Sequence, residues 1–297
     1  MYKFITSYIF VLGLTSVKAQ IFEPFNLRYQ HSSTAKVSKA GFEDFENTER
    51  TEQQIVEATF RYPIIFGKRN NIFLPELSHK IVGRQFDNWR SMVVEPATGN
   101  LTRLFLKGIF PVSDKWNILG VLAISQGVNS GVSWSFNHNY YRYGAGLVMN
   151  NKKGNQIGVS LLMIEELGFP APAFIFRGTN GKNWNYSVTF PLLTIIEYNL
   201  NKKWRLRFEE HLDNDRFVLN INSRANYNQA ILNLSIGLSY QLAKPIFMNV
   251  QAGLTPLNVL TYYEDKTTDI DTVSFDMQPT FGASIYISVN PKDYISK

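Results

Sequence analysis

The sequence predicts an all-β protein, a single antiparallel β-barrel whose outer surface faces lipid. Three observations lead to this prediction. Long stretches such as residues 228–242 (NQAILNLSIGLSYQL) alternate apolar and polar side chains with a period of two, which is typical of strands. Short turns alternate with longer connections between these stretches. The chain also contains no cysteine that could stabilise a smaller secreted fold through disulfides.

The N-terminal residues have the organisation of a secretory signal peptide. Lys3 provides a basic start, residues 4–17 form an apolar run, and the small residues Val17 and Ala19 precede Gln20. The alternatives are a buried helix or a membrane anchor, but the run is shorter than the ~20 residues that span a bilayer. We therefore expect residues 1–19 to be cleaved and residues 20–297 to form one barrel domain.

Composition and charge exclude two classes of protein. The net charge is +6, and residues 1–19 contribute two lysines and no acid, so the remainder carries +4. These basic residues are spread along the chain, which argues against nucleic-acid binding. Hydrophobic residues make up 44%, yet the mean hydropathy is −0.15, whereas a helical membrane protein would be far more apolar. After residue 19 no apolar run approaches the ~18 residues of a membrane helix, so this second class is excluded as well.

The elements follow one another as strands along the chain. In the second, Glu57 and Arg61 lie opposite an apolar face, and in the fourth Arg103 and Lys107 do the same. The last strand, 280–289, alternates through TFGASIYISV. The predicted strands are 24–35, 54–65, 72–80, 101–111, 115–125, 138–149, 155–164, 184–192, 203–211, 228–242, 246–254 and 280–289.

These strands count to about twelve, an even number that places both termini on one side, and ten or fourteen remain possible. The connections fall into two groups. Short ones rich in Asn, Gly, Lys and Pro are expected on the periplasmic side. Long ones are expected outside the cell, and they are residues 36–53, 81–99, 126–137, 165–183, 212–227 and 255–278.

The apolar faces of the strands are better explained by contact with lipid than by packing in the core of a soluble protein. The alternating stretches often reach nine residues or more, the length of a tilted membrane strand, whereas soluble strands commonly have ~5–6 residues. The polar faces are rich in Gly, Ser, Asn and Gln, as in a packed or wet lumen. A soluble β-sandwich is the alternative.

Aromatic residues near strand ends support the same interpretation. Rings beside the turns are expected at the membrane interfaces, as in the aromatic girdles of membrane barrels. These interface residues are Trp116, Trp184, Tyr198, Trp204 and Tyr240.

Taken together, "SVKAQ", "LNLSIGLSYQL" and "TFGASIYISVN" resemble the Gram-negative outer-membrane β-barrel proteins, and more closely a Bacteroidetes-type group classed as a domain of unknown function. The resemblance covers essentially the whole mature chain. It implies the cell outer membrane as location, lipid and lipopolysaccharide as surroundings, and assembly by the barrel assembly machinery. Such barrels often end on an aromatic residue, whereas this chain ends "VNPKDYISK", so Tyr286 or Tyr294 would serve. The resemblance implies no activity.

No motif in the sequence points to a catalytic or metal site. His31, His79, His138 and His211 lack metal-ligand spacing, and "GTNGKN" at 178–183 lacks the context of a phosphate loop, so it is expected to be a loop tip. The segment 262–272 (YYEDKTTDIDT) is expected to be an acidic outer loop. We therefore expect no metal, no cofactor and no enzymatic activity.

The best functional candidates are charges that the alternation turns towards the lumen. They could form an ion-pair network that fills the lumen, or they could line a small anion-leaning pore. These residues are Glu57, Arg61, Arg103, Lys107, Arg142, Glu197, Arg205, Arg207 and Glu209. The leading function is a passive channel for small solutes. The alternatives are a non-conducting structural or adhesion barrel acting through loops, and a lipid-modifying enzyme with a Ser or His facing lipid. The oligomeric state and the solute stay open.

Overall fold

The computed structural model describes residues 22–40, 50–68, 71–86, 98–129, 132, 139–151, 155–164, 170–180, 183–219, 225–263 and 269–289. The predicted signal peptide, residues 1–19, lies outside this range. No helix that could span a membrane occurs in the described part of the chain. The strand segments are β1 (Phe22–Ala40), β2 (Arg50–Arg61), β3 (Ile64–Phe66), β4 (Asn71–Phe86), β5 (Thr98–Pro111), β6 (Trp116–Asn129), β7 (Tyr140–Asn150), β8 (Gln156–Ile164), β9 (Pro170–Asn180), β10 (Trp184–Phe190), β11 (Leu193–Asn199), β12 (Trp204–Val218), β13 (Asn226–Ala243), β14 (Ile246–Tyr263), β15 (Asp269–Phe275) and β16 (Gln278–Val289).

These segments close into one antiparallel barrel. Apart from β3 and β15, each strand pairs with its neighbour along the chain, and β16 returns to pair with β1, for example Leu27 with Ile285. β3 continues β2 past Pro63, because both pair with β4 in the same register, and β15 and β16 together form the last strand between β14 and β1. The sixteen segments therefore make fourteen barrel strands in the described residues. The closed all-β barrel predicted from the sequence is confirmed.

The barrel has fourteen strands and not the expected twelve, at the upper end of the range of ten to fourteen, because the sequence pattern assigns β9 to a connection and does not separate β11 from β10. β9 lies inside the predicted loop 165–183, and its opening sequence PAPA has the proline content of a loop. β11 follows β10 after only Pro191 and Leu192. A connection of two residues is too short to be recognised as a turn from the sequence pattern alone. The other predicted long loops are shorter too, since β4 extends to Phe86, β12 to Val218 and β14 to Tyr263.

The outward face of the barrel is apolar. Side chains that alternate with the inward ones are widely exposed, such as Val159 at 55% and Val250 at 57%, and they come from strands all around the ring. In water this much exposed apolar surface would be unfavourable, whereas lipid tails cover it at no such cost. The wall therefore has the character of an outer-membrane-type barrel.

Aromatic residues gather at one end of the wall. We call this the turn end, because it holds the connections 112–115, 200–203 and 244–245. Cross-strand neighbours pack there with tilted rings: the Trp184 and Tyr198 ring centroids are 4.8 Å apart and the Trp204 and Tyr240 ring centroids 4.6 Å apart. Trp116 lies at the same end, directly after residues 112–115. Their role at a membrane interface stays a prediction.

Two glycines allow neighbouring strands to approach closely on the inner face. A Cβ at Gly253 in β14 would overlap the carbonyl oxygen of Leu234 in β13, and one at Gly144 in β7 would overlap that of Leu161 in β8. A side chain larger than hydrogen would therefore clash with the neighbouring backbone at these two positions.

The strands reach different heights at the end of the barrel opposite the turn end, which we call the loop end. β10 and β11 have seven residues each, whereas β13 and β14 have 18 each. Above the point where β11 stops, the upper half of β12 leans across the lumen, and Val218 pairs in parallel with Val128 of β6. The described residues thus form a narrower upper ring of nine strands, β12 to β15 with β1, β2, β4, β5 and β6.

An apolar core fills this upper ring. It includes Val82, Leu101, Phe217, Tyr227 and Leu260, each at most 2% exposed. The Phe217 and Tyr227 rings stack with their centroids 5.0 Å apart. The loop end of the lumen is therefore packed like the interior of a soluble domain.

The close approach at Gly253 makes a testable prediction. We expect Gly253→Ala to destabilise the folded barrel by ~1–3 kcal/mol, because the new methyl group must displace the Leu234 backbone. The measurement is urea unfolding in detergent, followed by the fast-migrating unboiled band on a gel. Gly120→Ala is the matched control, because a Cβ there meets nothing within 4 Å. Equal stability of the two variants would contradict the close-approach argument.

Candidate functional site

All nine charged residues predicted to face the lumen lie on the inward face of their strands. Their neighbours in sequence, such as Leu104 beside Arg103 and Phe208 beside Arg207, are exposed on the outer face. Sequence reasoning missed several further inward charges, some because the upper half of β12 was assigned to a loop. These are Glu23, Arg28, Glu76, Lys80, Arg84, Arg177, Asp213 and Asp215.

At the turn end a chain of ion pairs crosses between β11, β12 and β1. The Glu197 carboxylate, which is 0% exposed, accepts hydrogen bonds from Arg205 Nη1 at 3.3 Å and Arg207 Nη1 at 3.1 Å. Arg207 also reaches Glu23 across the lumen at 2.5 Å. Each of these buried charges is thus neutralised by a partner, as a low-dielectric environment requires.

A second ion cluster lies in the wall of β2, β4 and β5. The Glu76 carboxylate accepts from Arg61 Nε at 2.6 Å and from Lys107 Nζ at 2.7 Å. Although Lys107 and Arg61 point inward, their side chains are 36% and 24% exposed. Water therefore has room beside them inside the barrel. We call the space lined by Arg61, Glu76, Lys107 and Arg177 the basic vestibule.

Above the vestibule, a buried cluster fastens the upper half of β12 to the opposite wall. Lys80 Nζ of β4 donates to Asp213 at 2.7 Å and to Asp215 at 2.8 Å. Arg103 of β5 pairs with both Asp215 and Asp213. All four side chains are at most 9% exposed. We call these four residues the clamp.

Two further contacts extend the clamp. Arg142 of β7 donates to the carbonyl oxygen of Asn214, where β12 has no β11 partner. Arg28 of β1 pairs with Glu209 of β12 at 2.8 Å. Unpaired backbone carbonyls are costly inside a membrane barrel, so Arg142 stabilises the free edge of β12.

Between the clamp and the apolar core, amide side chains fill the lumen. Gln229 donates to Gln53 at 3.2 Å and to Asn258 at 3.1 Å, and Asn258 donates to Gln278 at 3.0 Å. These four residues come from β2, β13, β14 and β16, so they link β2 to the strands on the other side of the lumen. From the turn end upward, the lumen thus changes from wet and basic to ion-paired, then amide-filled, then apolar.

The histidines are dispersed in the described part of the chain. His31 pairs with Glu52 at 3.3 Å, and His211 with Asp213 at 3.3 Å. His79 faces outward, with Nδ1 3.0 Å from Thr102 Oγ1. His138 lies outside the described residues. No cluster of three possible metal ligands occurs among the residues that the structure describes.

Two predicted loop segments are corrected by the strands. Residues 178–180 of "GTNGKN" belong to β9, so this stretch is not only a loop tip. In the segment 262–272, Tyr262 and Tyr263 end β14, whereas Asp269 and Asp271 begin β15 and pair with β14. An all-loop assignment is therefore wrong, because β14 and β15 continue their ladder beyond the main wall. Residues 264–268 lie outside the described part.

Comparison with known sequences gives one family. The family described as Domain of unknown function (DUF6268) matches residues 15–292. No curated protein shows significant sequence similarity to this chain. The Bacteroidetes-type origin stays a prediction.

Solved structures of similar architecture come from proteins with different activities. The KdgM porin in complex with disordered oligogalacturonate is 11% identical, with a TM-score of 0.35 over 89% of this chain and 99% of that chain. The outer membrane phospholipase dimer of Salmonella typhi with bound calcium is 12% identical, with a TM-score of 0.37 over 94% and 96%. The toluene transporter TodX of Pseudomonas putida is 9% identical, with a TM-score of 0.34 over 89% and 88%. Because porins, a transporter and an enzyme match equally weakly, these values do not distinguish among functions.

The burial of the clamp makes a second prediction. We expect Lys80→Met to destabilise the barrel by ~3–5 kcal/mol, because Asp213 and Asp215 lose a buried counter-ion. Urea unfolding of the detergent-folded protein measures the change. Glu52→Gln, which breaks the exposed pair with His31, is the control and should cost less than ~1 kcal/mol. If the two variants lose equal stability, the clamp does not hold β12.

Proposed function

The chain belongs to the DUF6268 family, and from this premise we propose that it is an outer-membrane channel for small solutes whose lumen is closed in the described conformation. One observation carries the proposal. The basic vestibule reaches into the barrel from the turn end and admits water beside Lys107, and the clamp then closes the path above it. A cavity lined by charge that ends at a buried barrier, here the clamp with the amide layer and the apolar core above it, has the design of a gated path.

The barrier is built from an element that can move. The upper half of β12 is held by the clamp on one side and by β13 on the other, but β11 ends below it. Its pairing with β6 is limited to Val218 and Val128. Opening would require release of the clamp, of the Val218–Val128 pair and of the core contacts of Phe217, while the β12 ladder with β13 stays intact. The excess of inward basic residues would then face the open path.

Location and export complete the proposal. Residues 1–19 act as the signal peptide, and Gln20 begins the mature chain. The short turns lie in the periplasm and the loop end outside, surrounded by outer-membrane lipid and lipopolysaccharide after insertion by the barrel assembly machinery. The apolar outward face supports this placement.

This placement is tested by fractionation. We expect the protein in the outer-membrane fraction, with a mass that corresponds to an N-terminus at Gln20 and a gel mobility that falls on boiling. Mass spectrometry of the purified protein and paired boiled and unboiled gels measure both. Recovery from the soluble periplasmic fraction with no shift would overturn the membrane assignment.

Conductance across a planar bilayer tests the channel itself. We expect brief, rare openings in the natural protein and at least about tenfold more open time in the Asp213→Asn, Asp215→Asn double variant, because Lys80 and Arg103 lose both partners. Glu52→Gln is the control and should open no more often than the natural protein. Folding of each variant is checked first by its gel shift. Silence in all three folded proteins would contradict a channel.

Two other functions have a specific observation in their favour. A non-conducting structural or adhesion barrel agrees with the nearly complete burial of the clamp and of the apolar core, and bilayer silence would support it. A lipid-modifying enzyme agrees with His79 and Thr102, which lie together on the lipid-facing surface. Hydrolysis of phospholipid that is lost in His79→Asn would support the enzyme.

A further inference from the structure

We propose that Arg177, together with Lys107, binds a small oxyanion, a carboxylate or phosphate group of a solute, inside the basic vestibule. The inference rests on the proposed function, since it names the class of solute that this lumen receives. It begins from the position of Arg177 in β9. Its sequence neighbour Phe176 is 45% exposed on the outer face, so the alternation turns Arg177 inward.

Arg177 differs from the other arginines of the turn-end half in its partners. Arg61, Arg205 and Arg207 each pair with a carboxylate. The register partners of Arg177 are Gln156 on β8 and Ser187 on β10, and neither carries a charge. Across the described part of the chain, no carboxylate lies within ion-pair distance of its guanidinium.

The charged side chain near Arg177 is another cation, Lys107. Arg177 lies close enough to Lys107 for the two positive charges to repel each other. The Lys107 ammonium shares Glu76 with Arg61, and Arg61 also lies near Glu23 and Glu57. Among the described residues no carboxylate lies near Arg177, so the positive charge of its guanidinium is uncompensated, which costs free energy in an enclosed site unless an anion enters.

The chemistry of the site selects the ligand. A guanidinium offers paired N–H donors that match the two oxygens of a carboxylate or phosphate, and an ammonium adds a second, compact donor. Lys107 is 36% exposed inside the barrel, so its ammonium is not fully covered by other side chains. Asn150 and Gln156, which hydrogen-bond to each other at 3.0 Å, add polar wall beside Arg177.

Equilibrium dialysis of the full chain, folded in detergent at low ionic strength, tests the site. The probes are inorganic phosphate and succinate, each measured separately. We expect saturable binding of at least one of them, weakened about tenfold or more in Arg177→Gln, because a charge-assisted hydrogen-bond pair is lost. Arg177→Lys keeps the charge and should recover part of the affinity. Lys202→Gln removes an exposed charge at the same end and should bind like the natural protein.

A second variant keeps the test decisive if Arg177→Gln does not fold, as judged by its gel shift. Lys107→Gln removes the other cation and should weaken binding several-fold. No saturable binding by the natural protein, or equal weakening by Arg177→Gln and Lys202→Gln, would overturn the site. Binding together with a silent bilayer would leave the site intact and reject the channel, whereas conduction without Arg177-dependent binding would reject the site alone.

Discussion

Burial of charge inside a membrane wall is the constraint on which this structure depends. Lys80, Arg103, Asp213 and Asp215 are withdrawn from water, and each would be costly alone, so they have to meet. Their meeting brings β12 across the lumen to β4 and β5. The position of β12 then allows its tip to pair with β6, reduces the ring from fourteen strands to nine, and encloses the apolar core. Arg142 completes this arrangement at the carbonyl of Asn214.

The short strands make this crossing possible. A full-length β11 would hold the upper half of β12 in the wall by backbone hydrogen bonds, and Asp213 and Asp215 would stay at the rim. Because β10 and β11 end after seven residues, β12 is free to follow its charges inward. The glycines at positions 144 and 253 let neighbouring strands approach more closely than a side chain would allow. The position of β12 therefore depends on strand length and charge pairing together.

The lumen has two environments that differ in their access to water. In the vestibule, Lys107 and Arg61 remain hydrated, and a surplus of positive charge is tolerated there. In the clamp, Lys80 is 2% exposed, and every positive charge has a carboxylate beside it. This difference separates residues suited to meet a solute from residues suited to hold a barrier. It also explains why the same residue types, an arginine or a lysine facing inward, have different roles along one strand.

The sequence by itself determined the barrel, the direction of its alternating faces and the inward position of charges such as Arg103 and Glu197, because a period of two is a local property of the chain. It also placed the aromatics beside the turns. The strand count of twelve failed at β9 and β11, where prolines and a two-residue connection hide the period. Only the tertiary structure decided which charges pair, since Lys80 and Asp215 are 135 residues apart. Arg177 shows the same limit: the sequence reveals a cation, but only the register of β9 with β8 and β10 shows that its cross-strand neighbours carry no charge in the described part of the barrel.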